Sequence, residues 1–481
     1  MRMVCADWTL DVSAFYGSPD VRRRISEYCG GGDTESPESF ACWRIAAFGG
    51  RDRLSEAEGA PVAHDKAAWP RLLVDGADIC RSLADRGGTL LQMDVDYVDV
   101  QDPGAPYRHP ARTFARLEPV YRTLRELLAE YGVATRALVT GRGYHLTTRA
   151  PFGSPFHSAL VGIARLSDSL IERYGDRARS VRSAGLMGWG HEGAGRLLEH
   201  LSHRALHLLR GKTEVPVTLA DLPPPDGGPF ICLDLTAYAD PVFERHARCA
   251  FSANQRSAMI HAAPERPFVI VLPRDDQPVS EILGRREDLD AAAEVAKDAE
   301  VAIPDVLDGR VWVDEYLRGP VGRFHAEFDR GPQAEPGAWP YTYDTIDAEE
   351  WPPCLSLPLR HPNPALLQPA YIRTVALGLW TMGWHPRSIA GLVRSKYERE
   401  YGWGTLWRRY DAAARAEFYV RLFCGAVADG LDGPAEFTCE AQAGRGICGS
   451  GRCRDDQARL FEWLGGELAA KTTTARGRED A

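Results

Sequence analysis

The 481-residue sequence has no run of 18 or more apolar residues, so no ordinary membrane-spanning helix is expected. Its opening stretch, MRMVCADWTLDVSAFYG, has neither a continuous apolar core nor a small-residue cleavage site. The expectation is a cytoplasmic chain with no secretory leader. Internal repeats are missing. Positive charge is scarce: a formal net charge of -10 excludes a surface coated uniformly in nucleic-acid-binding basic residues, while leaving room for a local basic groove. Paired CxxC knuckles are also missing. The eleven cysteines are odd in number and the first six are scattered between positions 5 and 249, which argues against a disulfide framework. In a cytoplasmic chain, clustered cysteines more often bind metal.

What is present suits a soluble chain with sizeable cores: 44% hydrophobic and 26% charged residues, over a length that predicts two or three domains. The first 270 residues mix strand-like runs with amphipathic helical stretches. In TFARLEPVYRTLRELLAEYG, apolar residues recur at helical spacing and Gly132 stops the run. This predicts an α+β catalytic region over 1–270, with a mixed sheet and flanking helices. A helical connector and linker is expected over 271–350, a mostly helical domain over 351–465, and a disordered tail over 466–481.

The run LLQMDVDYVDV, residues 90–100, reads as a strand interrupted by carboxylates. Residues two apart on a strand share a face, so Asp94 and Asp96 project side by side. Like charges that close are costly to bury. Either they lie at a solvated strand end or a cation sits between them, and magnesium or manganese fits carboxylate oxygens and substrate phosphates. In LVTGRGYHL (138–146) a strand meets a Gly-Arg-Gly turn, where glycines admit a phosphate, Arg142 can grip it and His145 can donate to it. In FICLDLTAY (230–238), Asp234 again interrupts an apolar strand and could supply a third carboxylate to a metal pair.

In that order the three stretches resemble the archaeo-eukaryotic primase superfamily. The resemblance implies that Asp94, Asp96 and Asp234 hold two catalytic metals, Mg2+ or Mn2+, and that Thr140, Arg142 and His145 contact the nucleotide's phosphates. Thr140 stands where the family usually has serine, and its hydroxyl keeps the role. Downstream, HARCAFSANQR (246–256) resembles the family's basic, serine-containing segment and makes Arg248 a phosphate contact. Asp99 has no counterpart and reads as a loop residue.

Near the other end, Cys439, Cys448 and Cys453 follow Cys354 by 85, 94 and 99 residues. Four thiolates can hold tetrahedral zinc or a [4Fe–4S] cluster, and spacing alone leaves both open. A Pro-Pro-Cys opening, intervening helices and a compact run of three cysteines resemble the iron–sulfur domain of the primase large subunit, which implies [4Fe–4S]. Cys424, in the apolar RLFCGAV, reads as packed core. Between these cysteines, residues 382–422 carry eight basic side chains against four acidic ones, interleaved with tryptophan and tyrosine. That pattern suits single-stranded nucleic acid.

The resemblance therefore implies a DNA-dependent primase-polymerase working on single-stranded template with nucleoside triphosphates, and a helicase or other replication or repair proteins as further partners. Two alternatives stay open: a repair polymerase or terminal transferase that only extends ends, and a catalytically silent nucleic-acid-binding protein with structural zinc.

Overall fold

The structure is a computed structural model that describes residues 11–31, 41–43, 62–63, 69–179, 181–255, 269–360, 364–399, 402–431, 437–448 and 453–476. The protein is α+β. Strand pairing is mixed: Gly143–Pro151 pairs antiparallel with both Gly88–Val98 and Arg136–Val139, and Val217–Thr218 pairs parallel with Phe230–Asp234. The C-terminal region is helical. No helix among the described residues is long and apolar enough to cross a membrane.

Two compact units emerge, and each is built from two stretches of chain: Met1–His157 with Val242–Asp308, and Ser158–Pro241 with Gly309–Ala481. This differs from the linear division expected from composition at 270 and 350. The reason lies in pairing. Leu272–Pro273 returns to pair with Arg136–Val139 in the first unit. The helix Ala184–Leu209 instead carries buried Arg196 and Glu199, whose partners Asp329, His325 and Arg421 all come from later helices.

In the first unit, the strand Gly88–Val98 pairs with Gly143–Pro151, which forms a hairpin with Arg136–Val139. The helix Pro110–Glu130 buries Phe114, Leu117, Val120, Tyr121 and Leu124, and Tyr144 from the hairpin meets Phe114 edge-on at 5.2 Å. Gly132, at φ +70°, ends that helix as the sequence predicts. A second sheet orders Val62–Ala63, Ala41–Trp43, Asp78–Ser82 and His246–Arg248.

The second unit is helical around a buried ionic core. His325 donates through Nε2 to Glu199 at 3.1 Å and accepts at Nδ1 from the Tyr316 hydroxyl at 3.0 Å, a pattern that suits a neutral imidazole. Burial holds His325 down to about 4 against the pull of Glu199. Burial pushes Glu199 up, but its contact with His325 and the Arg421 charge hold it at about 2. Both groups sit below their ordinary values, so each contributes stability that is present above its unfolded value and lost as pH falls through its folded one. Thermal unfolding of the protein is expected to occur at progressively lower temperature from about pH 6.5 to pH 4. His325→Gln should flatten that part of the profile, as calorimetry over a pH series will show.

The last helix, Asp455–Arg476, runs through most of the segment expected to be a disordered tail. Leu464, Leu468 and Thr472 fall at helical spacing and are buried. The hydroxyls of Thr472, Thr473 and Thr474 each donate to the carbonyl four residues back at 2.9 Å, which reconciles a polar run with helix. Residues 477–481 lie outside the described residues.

Candidate active site and cysteine cluster

Strand register assembles the first site. Asp94 lies opposite His145 and Asp96 opposite Gly143, so both carboxylates and the imidazole share one face. Val95 and Tyr97, on the other face, are buried while Asp94 and Asp96 are half-buried. His145 Nε2 is 3.6 Å from Asp94 Oδ1, and Gln92 donates to the same oxygen at 2.6 Å. Arg142 reaches back from the turn to Asp96, with Nε 2.9 Å from Oδ2 and Nη2 closer still. Asp99 closes the loop beyond the strand, accepting from the backbone of Gln101 and Asp102.

Both glycines of the Gly-Arg-Gly turn are required by the protein's own packing. A Cβ on Gly143 would stand 1.8 Å from the Val95 carbonyl, and one on Gly141 would stand 2.7 Å from Asn254 Nδ2. Neither has a positive φ. Thr140 is buried, and its hydroxyl lies 3.1 Å from both the N–H and the carbonyl of Gly143. Thr140 thus has a place in closing the turn.

Arg248 sits in the second sheet of the same unit. Its guanidinium is 3.0 Å from Asp78 Oδ2, and that carboxylate is fully buried. Gln255 donates to Asp78 as well, through backbone and side chain. Burial pushes the Asp78 carboxyl up against the pull of Arg248. Between these residues Phe251 is buried at φ +62°, a strained backbone for a residue with a side chain. Asp234 belongs to the second unit, where it ends the strand Phe230–Asp234 and accepts from the Thr236 N–H at 2.9 Å.

The second unit draws four cysteines toward one another. Cys354 is buried on the helix Pro353–Arg360, and Cys439 opens the helix Cys439–Gly444. Burial pushes the Cys354 thiol up, and Cys448, Cys439 and Cys453 push it further. Cys439 and Cys453 are raised by burial first, then by their neighbouring thiols. Among the described residues, no group of three or more His, Cys, Asp or Glu side chains already stands at metal-ligating geometry. Cys424 is fully buried in the helix Ala412–Ala428, as packed core.

The basic, aromatic segment between these cysteines is a correction to the sequence reading. Arg399 pairs with Asp344 at 2.6 Å, Arg394 with Glu398 at 2.7 Å, Arg415 with Asp240 at 2.6 Å, and Arg421 with Glu192 at 3.2 Å. Arg387 donates to the Asp329 carbonyl. Tyr397 is buried against Trp407, with ring centres 4.8 Å apart. The helices Pro386–Tyr397 and Ala412–Ala428 bury much of this segment, and Arg387, Arg399, Arg415 and Arg421 each find a carboxylate or carbonyl outside it that local charge counting does not see. Arg408 stays exposed, and Tyr401 lies outside the described residues.

No family model matches the chain. No curated protein matches it either. Among solved structures, the polymerase domain from Mycobacterium tuberculosis ligase D in complex with DNA aligns with a TM-score of 0.33 and 14% identity, covering 62% of this chain and 92% of that one. A likeness that slight leaves the functional reading to this chain's own residues.

Sequence reasoning missed Asp78, Gln255, Asn254 and Arg286, all of which brace the first site's surroundings. Asp78, in GADIC, did carry the signal used elsewhere, a carboxylate interrupting an apolar strand. The other three announce nothing until the fold places them.

Proposed function

We propose that the protein is a nucleotidyltransferase of the primase-polymerase kind, copying single-stranded DNA from nucleoside triphosphates. The observation that carries this reading is the register that sets Asp94 beside His145 and Asp96 beside the turn, with Arg142 paired to Asp96. Paired, half-buried carboxylates are the hard-oxygen donor set that magnesium or manganese takes. Asp234 joins them on the strength of motif order. Bound there, the ions would neutralise the triphosphate and activate a 3′-hydroxyl.

The chain's own residues do the rest. Arg142 exchanges Asp96 for the triphosphate, and His145 donates a hydrogen bond to it. Thr140 keeps the turn closed. We assign Arg248 to anchoring residues 246–255 through Asp78, since its guanidinium already bonds that carboxylate. Cys354, Cys439, Cys448 and Cys453 are proposed to hold [4Fe–4S]; a buried Cys354 thiol raised by burial and by its three neighbouring thiols belongs to a donor set suited to a cationic centre. That region would support template and first nucleotide.

One observation favours a second reading, extension of existing ends without initiation. The internally paired arginines leave the segment 382–422 less able to grip bare template than its composition implies. Incubation with unprimed and primed single-stranded templates separates the readings. De novo products support priming, and extension alone supports end repair. Neither product would leave a binding protein.

Arg142→Ala is expected to have opposite effects on two ligands. Triphosphate affinity should fall about ten- to a hundredfold with the loss of a charge-assisted contact. Affinity for Mn2+ alone should rise, because Asp96 no longer has a guanidinium to release. Calorimetry with each ligand checks both. Template affinity that collapses while triphosphate affinity holds would show the roles reversed.

A further inference from the structure

Behind the Thr140–Gly143 turn sits a guanidinium that belongs to no motif. Arg286 follows the short helix Val279–Arg285 and is fully buried. Its Nη1 donates to the Thr140 carbonyl and, at 3.4 Å, to the Gly141 carbonyl. The guanidinium lies 5.0 Å over the Phe114 ring, and Nη2 is 3.7 Å from Glu287. Its backbone is held as well: the N–H donates to Ile282 at 3.0 Å and the carbonyl accepts from Ile270 at 2.7 Å. Removing a charge this completely from water is costly unless fixed partners compensate. Here the partners are two successive carbonyls of the turn.

Their direction has a consequence. A trans peptide is planar, and its C=O and following N–H point opposite ways. With the Thr140 and Gly141 carbonyls turned toward Arg286, the N–H groups of Gly141 and Arg142 are turned the other way. Successive N–H groups aimed together make a concavity for an oxyanion, and a fixed positive charge behind it favours an anionic ligand further. Asn254 packs beside Gly141 and closes the turn's flank.

We infer that Arg286 is a positioning residue that aims the Gly141 and Arg142 N–H groups at a phosphate of the incoming nucleoside triphosphate. This rests on the reading that the turn handles a triphosphate. Arg286 touches no substrate; it acts through the peptide planes.

The test uses the full-length protein with a deoxynucleoside triphosphate and magnesium. In wild type, saturating nucleotide should slow amide hydrogen exchange in the peptide spanning residues 138–145. In Arg286→Met that protection should vanish and the nucleotide KM rise about tenfold or more, as for lost hydrogen bonds to a charged group. The kcat and template affinity should change little, and Arg286→Lys should recover part of the loss. Unchanged nucleotide affinity in Arg286→Met overturns the inference, as does wild-type binding without protection of that peptide. Should Arg286→Met speed exchange throughout its unit, Arg286→Lys and the wild-type protection decide. Wild-type protein that shows the protection yet incorporates nothing would retire the polymerase reading and leave the role of Arg286 standing.

Discussion

Replacing Asp94 and Asp96 together with alanine is expected to lower nucleotide incorporation by roughly a thousandfold or more, the scale on which sites lose their main electrostatic stabilisation. The two carboxylates share a strand face and are the hard-oxygen donors that strand Gly88–Val98 offers there. The fold should survive. Asp96 pairs with Arg142 at a partly solvated position, and such a pair contributes only about 1 kcal/mol. Val95 and Tyr97, which bury the opposite face, are untouched. Circular dichroism and a melting curve would confirm folding beside a primer-extension assay. Retained activity in the folded double variant would sink the two-metal assignment. The single Asp96→Asn variant adds detail, since it should free Arg142 and tighten triphosphate binding while still abolishing turnover.

The second large effect concerns the cysteines. Protein purified anaerobically should be brown and contain about four irons per chain. Cys354→Ser should lose that iron as completely as Cys448→Ser, although Cys354 lies 94 residues away. The physical reason is that Cys354 is the buried thiol on which the other three act. Cys424→Ser should keep its iron, because Cys424 is core of the helix Ala412–Ala428. Iron analysis and absorbance of the three variants check the set. Stoichiometric zinc from cells grown with ample iron would change the metal and keep the ligands. Loss of iron from Cys424→Ser would overturn the ligand set itself. Extension of a primer should survive cluster loss better than initiation, which needs a second region to hold the first nucleotide.

Legibility in the sequence followed locality. The strand carrying Asp94 and Asp96 was readable because period-two alternation depends on nearest neighbours, and the stop at Gly132 because helix termination is a local backbone event. The same locality misled at two places, the basic segment and the threonine run. Arg394, Arg399, Arg415 and Arg421 looked like a nucleic-acid surface because their partners include Asp344, Asp240 and Glu192, far off in the chain. The hydroxyl of Thr140 could be counted in the sequence, while its bonds to Gly143 come only with the fold. Thr472 to Thr474 looked like a tail because polarity was weighed without the carbonyls that receive their hydroxyls. Arg286 was invisible for a related reason: only the return of the chain past residue 269 brings it under the turn.

That return also bears on how the protein emerges from the ribosome. Each unit is interrupted by the other, so neither can be finished in the order in which it is made. The carboxylate strand and its hairpin are synthesised early, but Leu272–Pro273, which pairs with the hairpin, and His246–Arg248, which pairs with Asp78–Ser82 in the second sheet, arrive only after the long helix Ala184–Leu209 has been produced. That helix must in turn wait for Asp329, His325 and Arg421, which complete the buried core around Arg196 and Glu199, although Glu192 of the same helix already pairs with Arg196. Translation at about 5–20 residues per second spreads those events over many seconds. During that interval a nascent chain exposes open strand edges and unburied apolar surface, the two features chaperones are suited to shield.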